Sequence, residues 1–518
     1  MTSRPDHVLW AVCAVVKLAI LAAAGSQYGY LADELYFLDA ADHLALGYVD
    51  FPPAIAWVMA GLTGLFGSDL IVLRTFACAL GIVVTVLAVE VARLLGGGRT
   101  AQWLTAIVVL FAPAFLSIQS ILTMNVLDQL WWVLGFVLLI RYLQDRRPRY
   151  MLLLGAVFGL SLLTKLAMPA WFLGLGIAAL IHARWTLARP EVWGAMVILV
   201  GVASPFLYWQ VTHDWLFVEF IRAYNDEAAE AMVIDQPLFG LITTMNPPFL
   251  LIWLPGLIYG LITADRTLKV VGTAAVVCLT VFLAAGVKFY FATPLFILFT
   301  AAGALLWERW LTARTRARAL FVSGMAISGL FSIPIAAPVL PGAALQRVAD
   351  FIRDAELQAA DPGAVVATPG KPGYRPASMG RYFPHFAEMH GWPELVTAVA
   401  AEYEAFPPEE RAGIGLLAAY FGQAGALNQL DRAERLPVAH SGHMNYTLWA
   451  EGQPFDDIIA VGFDPALLQR LYRDVTVLQT FRCERCMARE NGLIIARCRD
   501  RSVDSDEIRS QIKRFYFF

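Results

Sequence analysis

Apolar runs long enough to cross, or nearly cross, a bilayer recur from Val8 to about Leu340. A hydrocarbon core about 30 Å thick needs roughly 20 apolar residues per helix, and lipid leaves no backbone group unpaired. This region therefore reads as a polytopic α-helical membrane domain, residues 1–340. Spans near 8–27, 69–92, 101–118, 127–143, 150–164, 167–183, 192–211, 240–263, 270–286, 289–306 and 319–340 make about 11 transmembrane helices. Only 16% of residues are charged, against about a quarter in soluble domains. The net charge of −3 gives no reason to expect nucleic acid as a partner. The N-terminus has the basic start and apolar stretch of a secretory signal, but Lys17 interrupts the run and further apolar helices follow. It reads as a retained first helix.

Beyond about Pro341 the long apolar runs stop and charged residues become frequent. Residues 345–518 are long enough for a separate α/β domain. GIGLLAAY (413–420), DDIIAVGF (456–463) and GLIIARC (492–498) read as buried strands. PELVTAVAAEYEAF and DPALLQRLYRD read as amphipathic helices, so a small Rossmann-like sandwich is expected.

Lys and Arg fix the sidedness. One set of connections holds Arg4; Arg93 and Arg99; Arg141, Arg146, Arg147 and Arg149; Arg184 and Arg189; Arg266 and Lys269; and Arg309, Arg314, Arg316 and Arg318. The alternate set holds Lys165, Arg222 and Lys288. The positive-inside rule places the first set in the cytoplasm. Keeping every basic connection inside requires residues 150–183 to make two short passes that turn near Lys165–Pro169. With the N-terminus inside, the C-terminal domain then lies outside.

The outside segments carry the polar chemistry. The first, LADELYFLDAADHLALGYVDFPP from Leu31 to Pro53, has five acidic residues and no Lys or Arg. DELYFLDAADHLALG is spaced as a helix, and PPAIAWVMAGLTGLFG as a short interfacial or re-entrant one. The loop is expected to lie on the membrane surface and present carboxylates there. TMNVLDQLWW sets Asn125 and Asp128 at the mouth of a span, and KFYFATP carries Lys288 and Tyr290. Carboxylates and sparse cations at membrane level suit a lipid-linked phosphate and a reaction that needs a base. Each also has a plainer reading. Outside acids can follow from the lack of positive charge, Lys165 and Lys288 can snorkel at helix ends, and Arg222 can pair with Glu219 or Asp226.

These residues carry a resemblance. DELYFLDAADHLALGYVDFPPAIAWV, LRTFACALG, TMNVLDQLWW, LLTKLAMP and VKFYFATPLF resemble the GT-C membrane glycosyltransferases. The nearest group is that of the protein O-mannosyltransferases and the bacterial aminoarabinose transferase that modifies lipid A. FPHFAEMHGWPELVTAVAAEYEAFPPEERA, YFGQAGALNQL and LPVAHSGHMNYTLW extend the resemblance through the tail.

The resemblance implies an inverting transfer of sugar from a polyprenyl-phosphate donor. The acceptor would be a glycan, lipid or protein on the outer side of a bacterial cytoplasmic membrane. It implies Asp33 as base, Glu34 beside it, and Asp128 as a second carboxylate facing the site. Lys288, Tyr290, Arg222 and Lys165 become the phosphate-binding residues, and Asn125 and His43 substrate-binding ones. Some GT-C enzymes use a divalent metal. Asp33, Glu34 and Asp128 are the carboxylates that could hold one, but the sequence assigns no metal and no other cofactor. No convincing Walker A or Rossmann fingerprint is present. The energy source would be the donor bond, so none is needed.

The tail leaves some readings open. The glycines of YFGQAGALNQL suit an anion-binding turn or a tight structural one. SGHMNY (441–446) with His440 suits a sugar contact or a polar loop. Among Cys483, Cys486 and Cys498, an oxidising outside compartment favours a disulfide between two of them. A zinc site using His440 or His443 is the alternative. A membrane transporter with an extracytoplasmic glycan-binding domain is the competing function. Such proteins usually carry ionisable residues mid-helix and two repeated halves. Lys17 is the main residue here of that kind, and no repeat is evident.

Overall fold

The computed structural model of the protein describes residues 6–25, 27–230, 237–360, 379–450 and 455–515. Arg4 and residues 231–236 lie outside the described residues. The helices, in order, are α1 His7–Ala24, α2 Ala32–Asp42, α3 Ala54–Phe66, α4 Leu70–Leu94, α5 Arg99–Phe111, α6 Pro113–Ile118, α7 Met124–Asp145 and α8 Pro148–Leu162. They continue as α9 Met168–His182, α10 Pro190–Thr212, α11 Leu216–Glu230, α12 Pro237–Thr244, α13 Leu250–Ile262, α14 Arg266–Ala284, α15 Leu295–Leu311 and α16 Thr315–Leu330. Among the described residues, 6 helices are long and apolar enough to cross a membrane: α1, α4, α7, α10, α14 and Thr315–Ala336. Other apolar runs form shorter helices, broken where the sequence breaks them. Pro113 forces Ala112 into an extended conformation and separates α5 from α6. The expected interruption in 150–183 falls between α8 and α9, around Lys165.

Small residues set the helix contacts, as expected where lipid supplies no hydrophobic drive for helices to associate. A Cβ on Gly256 would lie 1.8 Å from the Phe299 carbonyl oxygen, and one on Gly303 1.8 Å from that of Ile252, so α13 and α15 touch backbone to backbone. A Cβ on Gly174 would lie 2.4 Å from the Ala274 carbonyl oxygen, which seats α9 on α14 in the same way.

The C-terminal segment carries one sheet: β1 Gly415–Ala418, β2 Ala439–Ser441, β3 Asp457–Val461, β4 Tyr472–Phe481 and β5 Leu493–Arg501. The strand order is β2-β1-β3-β5-β4. β2, β1 and β3 are parallel, and β5 and β4 extend the sheet antiparallel. The three strands read from the sequence are β1, β3 and β5. The sheet is mixed rather than a pure parallel sandwich, because β4 replaces the second half of an expected helix. That helix, Pro465–Leu471, stops at Leu471, and Tyr472 onward is strand. β4 carries Val475, Thr476 and Val477 and is largely exposed along its middle. Its face is too polar to show the apolar alternation that marks a strand.

The surface loop differs from expectation. α2 does not present its residues to the surroundings as an exposed helix would. From Ala32 to Ala40 every residue but Asp33 is buried. The cover is the C-terminal segment: the helix Phe421–Leu430 packs along α2, and a Cβ on Gly425 would lie 3.1 Å from the Leu35 side chain. The glycines of that helix therefore serve close packing, not an anion-binding turn. The SGHMNY loop docks on α2 as well. Asn445 Nδ2 donates to the Tyr36 hydroxyl and, at 2.8 Å, to Asp50 Oδ1, while its Oδ1 accepts from the Val49 amide at 2.8 Å. The Tyr446 hydroxyl donates to Asp39, which also accepts from Gln429 Nε2 at 2.6 Å and Asn428 Nδ2 at 2.8 Å. Asp39 and Asp50 are thus held in a buried polar seam between the two parts of the chain. Asp42 stays exposed and accepts from Gln429 at 2.9 Å.

Candidate active site

α2 begins with Asp33 and Glu34 in its first turn, where the amide-rich end of a helix favours negative charge. The two neighbours face different surroundings. Glu34 is fully buried. Its Oε2 accepts from the Leu31 amide at 2.9 Å and Arg74 Nη2 at 2.9 Å, and its Oε1 accepts from the Leu122 amide at 3.0 Å. Its carboxylate is therefore committed to tying α2, α4 and the start of α7 together. Asp33 keeps part of its surface exposed. Burial, then the charges of Glu388 and Glu34, push its pKa up to about 7, against the opposing pull of Lys288 and Arg489.

The charges that act on Asp33 come from distant parts of the chain. Lys288 precedes the short helical turn Phe289–Ala292, and its ammonium lies 5.4 Å from the centre of the Tyr224 ring on α11. Lys165, in the break between α8 and α9, reaches the same turn. Its Nζ sits 4.5 Å from the Tyr290 ring centre and 3.5 Å from that of Phe291, and it donates to Asn125 Oδ1 at 2.8 Å. Asp128, one turn further along α7, accepts from Trp132 Nε1 at 3.0 Å and Ser161 Oγ at 3.3 Å. Lys165 thus joins Tyr290 and Asn125 by direct contact, Asp128 lies one turn beyond Asn125, and Asp33 and Lys288 lie within reach of each other's charge.

Two predicted residues stand apart. Arg222 is exposed on α11, and neither Glu219 nor Asp226 is its partner: Glu219 pairs with Lys513 at 3.0 Å. His43 caps the far end of α2, roughly 15 Å of helix from Asp33 at 1.5 Å per residue. There it stacks on Trp449 with ring centres 4.5 Å apart.

The C-terminal segment supplies residues that the sequence reading missed. Arg489 Nη2 donates to Glu388 Oε1 at 2.6 Å and to the Tyr420 hydroxyl at 2.8 Å, with its guanidinium 4.2 Å over the Tyr420 ring. Glu388 and Arg489 both act on Asp33. The disulfide Cys483–Cys486 fastens this corner. Cys486 Sγ lies 3.1 Å from the His390 carbonyl oxygen, and Gly391, at φ +88°, leaves no room for a side chain beside both sulfurs. Cys498 is buried in the sheet, unpaired. The only sequence signal was proximity: Arg489 follows the CxxC by three residues, and Glu388 precedes HGW.

Among the described residues, no three His, Cys, Asp or Glu side chains converge as a metal cage. Glu34 is already taken by Arg74 and two amides. The residues present do not fit a divalent metal, and no step is derived through one.

The whole-chain architecture matches solved structures. ArnT from Cupriavidus metallidurans bound to undecaprenyl phosphate aligns over 94% of this chain and 97% of its own, with TM-score 0.57 and 16% identity. This chain has the GT-C fold. The mycobacterial arabinofuranosyltransferase AftD aligns over 98% of this chain and 42% of its own, with TM-score 0.50 and 15% identity. In sequence, residues 50–209 match the dolichyl-phosphate-mannose-protein mannosyltransferase family. A 191-residue stretch is 28% identical to the lipid A galacturonosyltransferase RgtD of Rhizobium johnstonii, covering 36% of this chain and 39% of that relative's length. On this GT-C scaffold, the residues from Asp33 to Asp128 are supplied by α2, α7, the α8–α9 break and the turn before α15.

Proposed function

We propose that the protein is an inverting glycosyltransferase. It moves a sugar from a polyprenyl-phosphate donor to an acceptor on the outer side of a bacterial cytoplasmic membrane. In this reading about eleven passes put the N-terminus in the cytoplasm, and residues 345–518 form an outside domain behind the membrane domain of residues 1–340. The observation that carries the reading is Asp33: a partly exposed carboxylate at the start of α2 whose pKa burial pushes up to about 7, within reach of the Lys288 charge. A general base works best with a pKa near the working pH.

The chemistry follows from that pairing. Asp33 takes the proton from an acceptor hydroxyl as the oxygen attacks the anomeric carbon. The bond from that carbon to the phosphate oxygen breaks in the same step, with inversion. The negative charge that grows on the departing polyprenyl phosphate is met by Lys288, the Tyr290 hydroxyl and Lys165. Asn125 and Asp128 hold the Lys165 side of the site. Arg222 and His43 stand apart from these residues and take no step in this scheme. The relatives favour a lipid or envelope-glycan acceptor, since one modifies lipid A by name.

Purified protein is offered a panel of polyprenyl-phosphate sugars with lipid A and envelope glycolipids as acceptors. Transfer by the wild type, and its loss in Asp33→Asn with donor binding retained, is the expected result. Normal transfer by Asp33→Asn would remove Asp33 as base.

A further inference from the structure

A second polar site lies off the path of this chemistry, on α1. Lys17 is 3% exposed, and its ammonium has no hydrogen-bond partner among the described residues. It lines a void of about 30 Å³ with Arg74, Cys78, Gln119, Ser120 and Tyr28. On the same measure one water needs roughly 10–15 Å³, so the void admits a small polar group and not a ring. Two other polar atoms beside it are also unpartnered: Arg74 Nε and Gln119 Oε1. Glu34 answers part of the Arg74 charge. Among the described residues, no carboxylate lines the void with Lys17.

A buried ammonium within a membrane-spanning helix is costly without a counter-charge and marks a functional site by default. Here the described residues supply no counter-charge at the void. Lys17 sits seven residues from the end of α1 nearest α2, roughly 10 Å at 1.5 Å per residue. With the end of α1 taken at the membrane boundary, the void is at headgroup-to-acyl depth in the leaflet on the α2 side. Leu18 and Ile71, next in sequence to the lining residues Lys17 and Leu70, are 51% and 59% exposed, a surface suited to acyl chains.

We propose that this void binds the phosphate of an anionic lipid, with Lys17 Nζ and Arg74 Nε as donors and the lipid chains along α1 and α4. Arg74 also holds Glu34, the immediate neighbour of Asp33, so an occupied site would brace the start of α2. The proposal does not depend on the sugar-transfer reading, since it concerns binding alone.

Native mass spectrometry of the full-length protein tests it. Protein is released from nanodiscs of phosphatidylcholine alone, of phosphatidylcholine with phosphatidylglycerol, and of phosphatidylcholine with inorganic phosphate in the buffer. The expected result is a retained phosphatidylglycerol on the wild type and on Lys17→Arg. Lys17→Met should weaken retention by roughly tenfold, the order of one charge-assisted contact. Retention of inorganic phosphate by the wild type and not by Lys17→Met would keep the phosphate site and move its source to solution. Equal phosphatidylglycerol retention by wild type and Lys17→Met overturns the proposal, as does retention of neither anion. Lys17→Arg guards against misfolding, because it keeps the charge while changing the shape.

Discussion

Arg74 on α4 donates to Glu34 at 2.9 Å with both side chains buried, and the same carboxylate caps two backbone amides. The pair pins the start of α2, and so the direction in which Asp33 faces. Removing one partner leaves a buried charge unanswered, which typically costs about 3–5 kcal/mol. Glu34→Gln should therefore lower the melting temperature in detergent markedly. Asp33→Asn, which breaks no such clamp, should not lower it. Equal melting temperatures for wild type and Glu34→Gln would show that the clamp is not needed.

Transfer should rise with pH through about 7, because Asp33 must be ionised to take a proton and its pKa lies there. Glu388 holds that pKa up, so Glu388→Gln should move the acid limb of the kcat/KM profile to lower pH. Lys288→Met should move it the other way, as well as weakening donor binding. A Glu388→Gln profile that does not move would separate Glu388 from the base.

Three raised carboxylates also predict how stability depends on pH. Burial pushes Asp33 and Asp50 to about 7 and Asp39 to about 6. A folded-state pKa above the unfolded value means the folded state binds more protons between about pH 4 and 7, so these groups make stability fall as pH rises through that window. Melting temperatures at pH 5, 6, 7 and 8 would read this, and Asp50→Asn should flatten the slope. A slope equal to the wild type would exclude Asp50 as a contributor.

The disulfide holds the corner that presents Glu388 and Arg489. Reductant should therefore lower transfer by the wild type, and have no added effect on the double variant Cys483→Ser, Cys486→Ser. Gly391→Ala should mimic reduction, because its Cβ would meet Cys486 Sγ at 2.3 Å on a backbone already at φ +88°. Unchanged activity after verified reduction would free the site from the disulfide.

The seam between α2 and the C-terminal segment should matter for the whole chain. Asn445 is fully buried and serves Tyr36, Asp50 and the Val49 amide. Leaving such groups unsatisfied costs about 1–3 kcal/mol each, so Asn445→Ala should expose the C-terminal segment to limited proteolysis before the membrane helices loosen. Proteolysis no faster than in the wild type would argue that the seam is held by apolar packing alone.

The apolar runs, the Lys and Arg asymmetry and the DE pair were legible in the sequence because each is a local property: bilayer thickness, charge per connection, and a helix start. The break around Lys165 was legible for the same reason, as continuous helix there would have inverted every later connection. Three of the five strands showed as apolar runs, while exposed β4 did not. What only the tertiary structure decided is which neighbour of a carboxylate matters. Asp33 and Glu34 are adjacent in sequence, yet one lies in the field of Lys288, Glu388 and Arg489 while the other is held by Arg74. Glu388 and Arg489 lie more than 350 residues from Asp33. Nothing local marks them, because their effect on it is set by distance in space, burial and a disulfide that the chain closes only when folded.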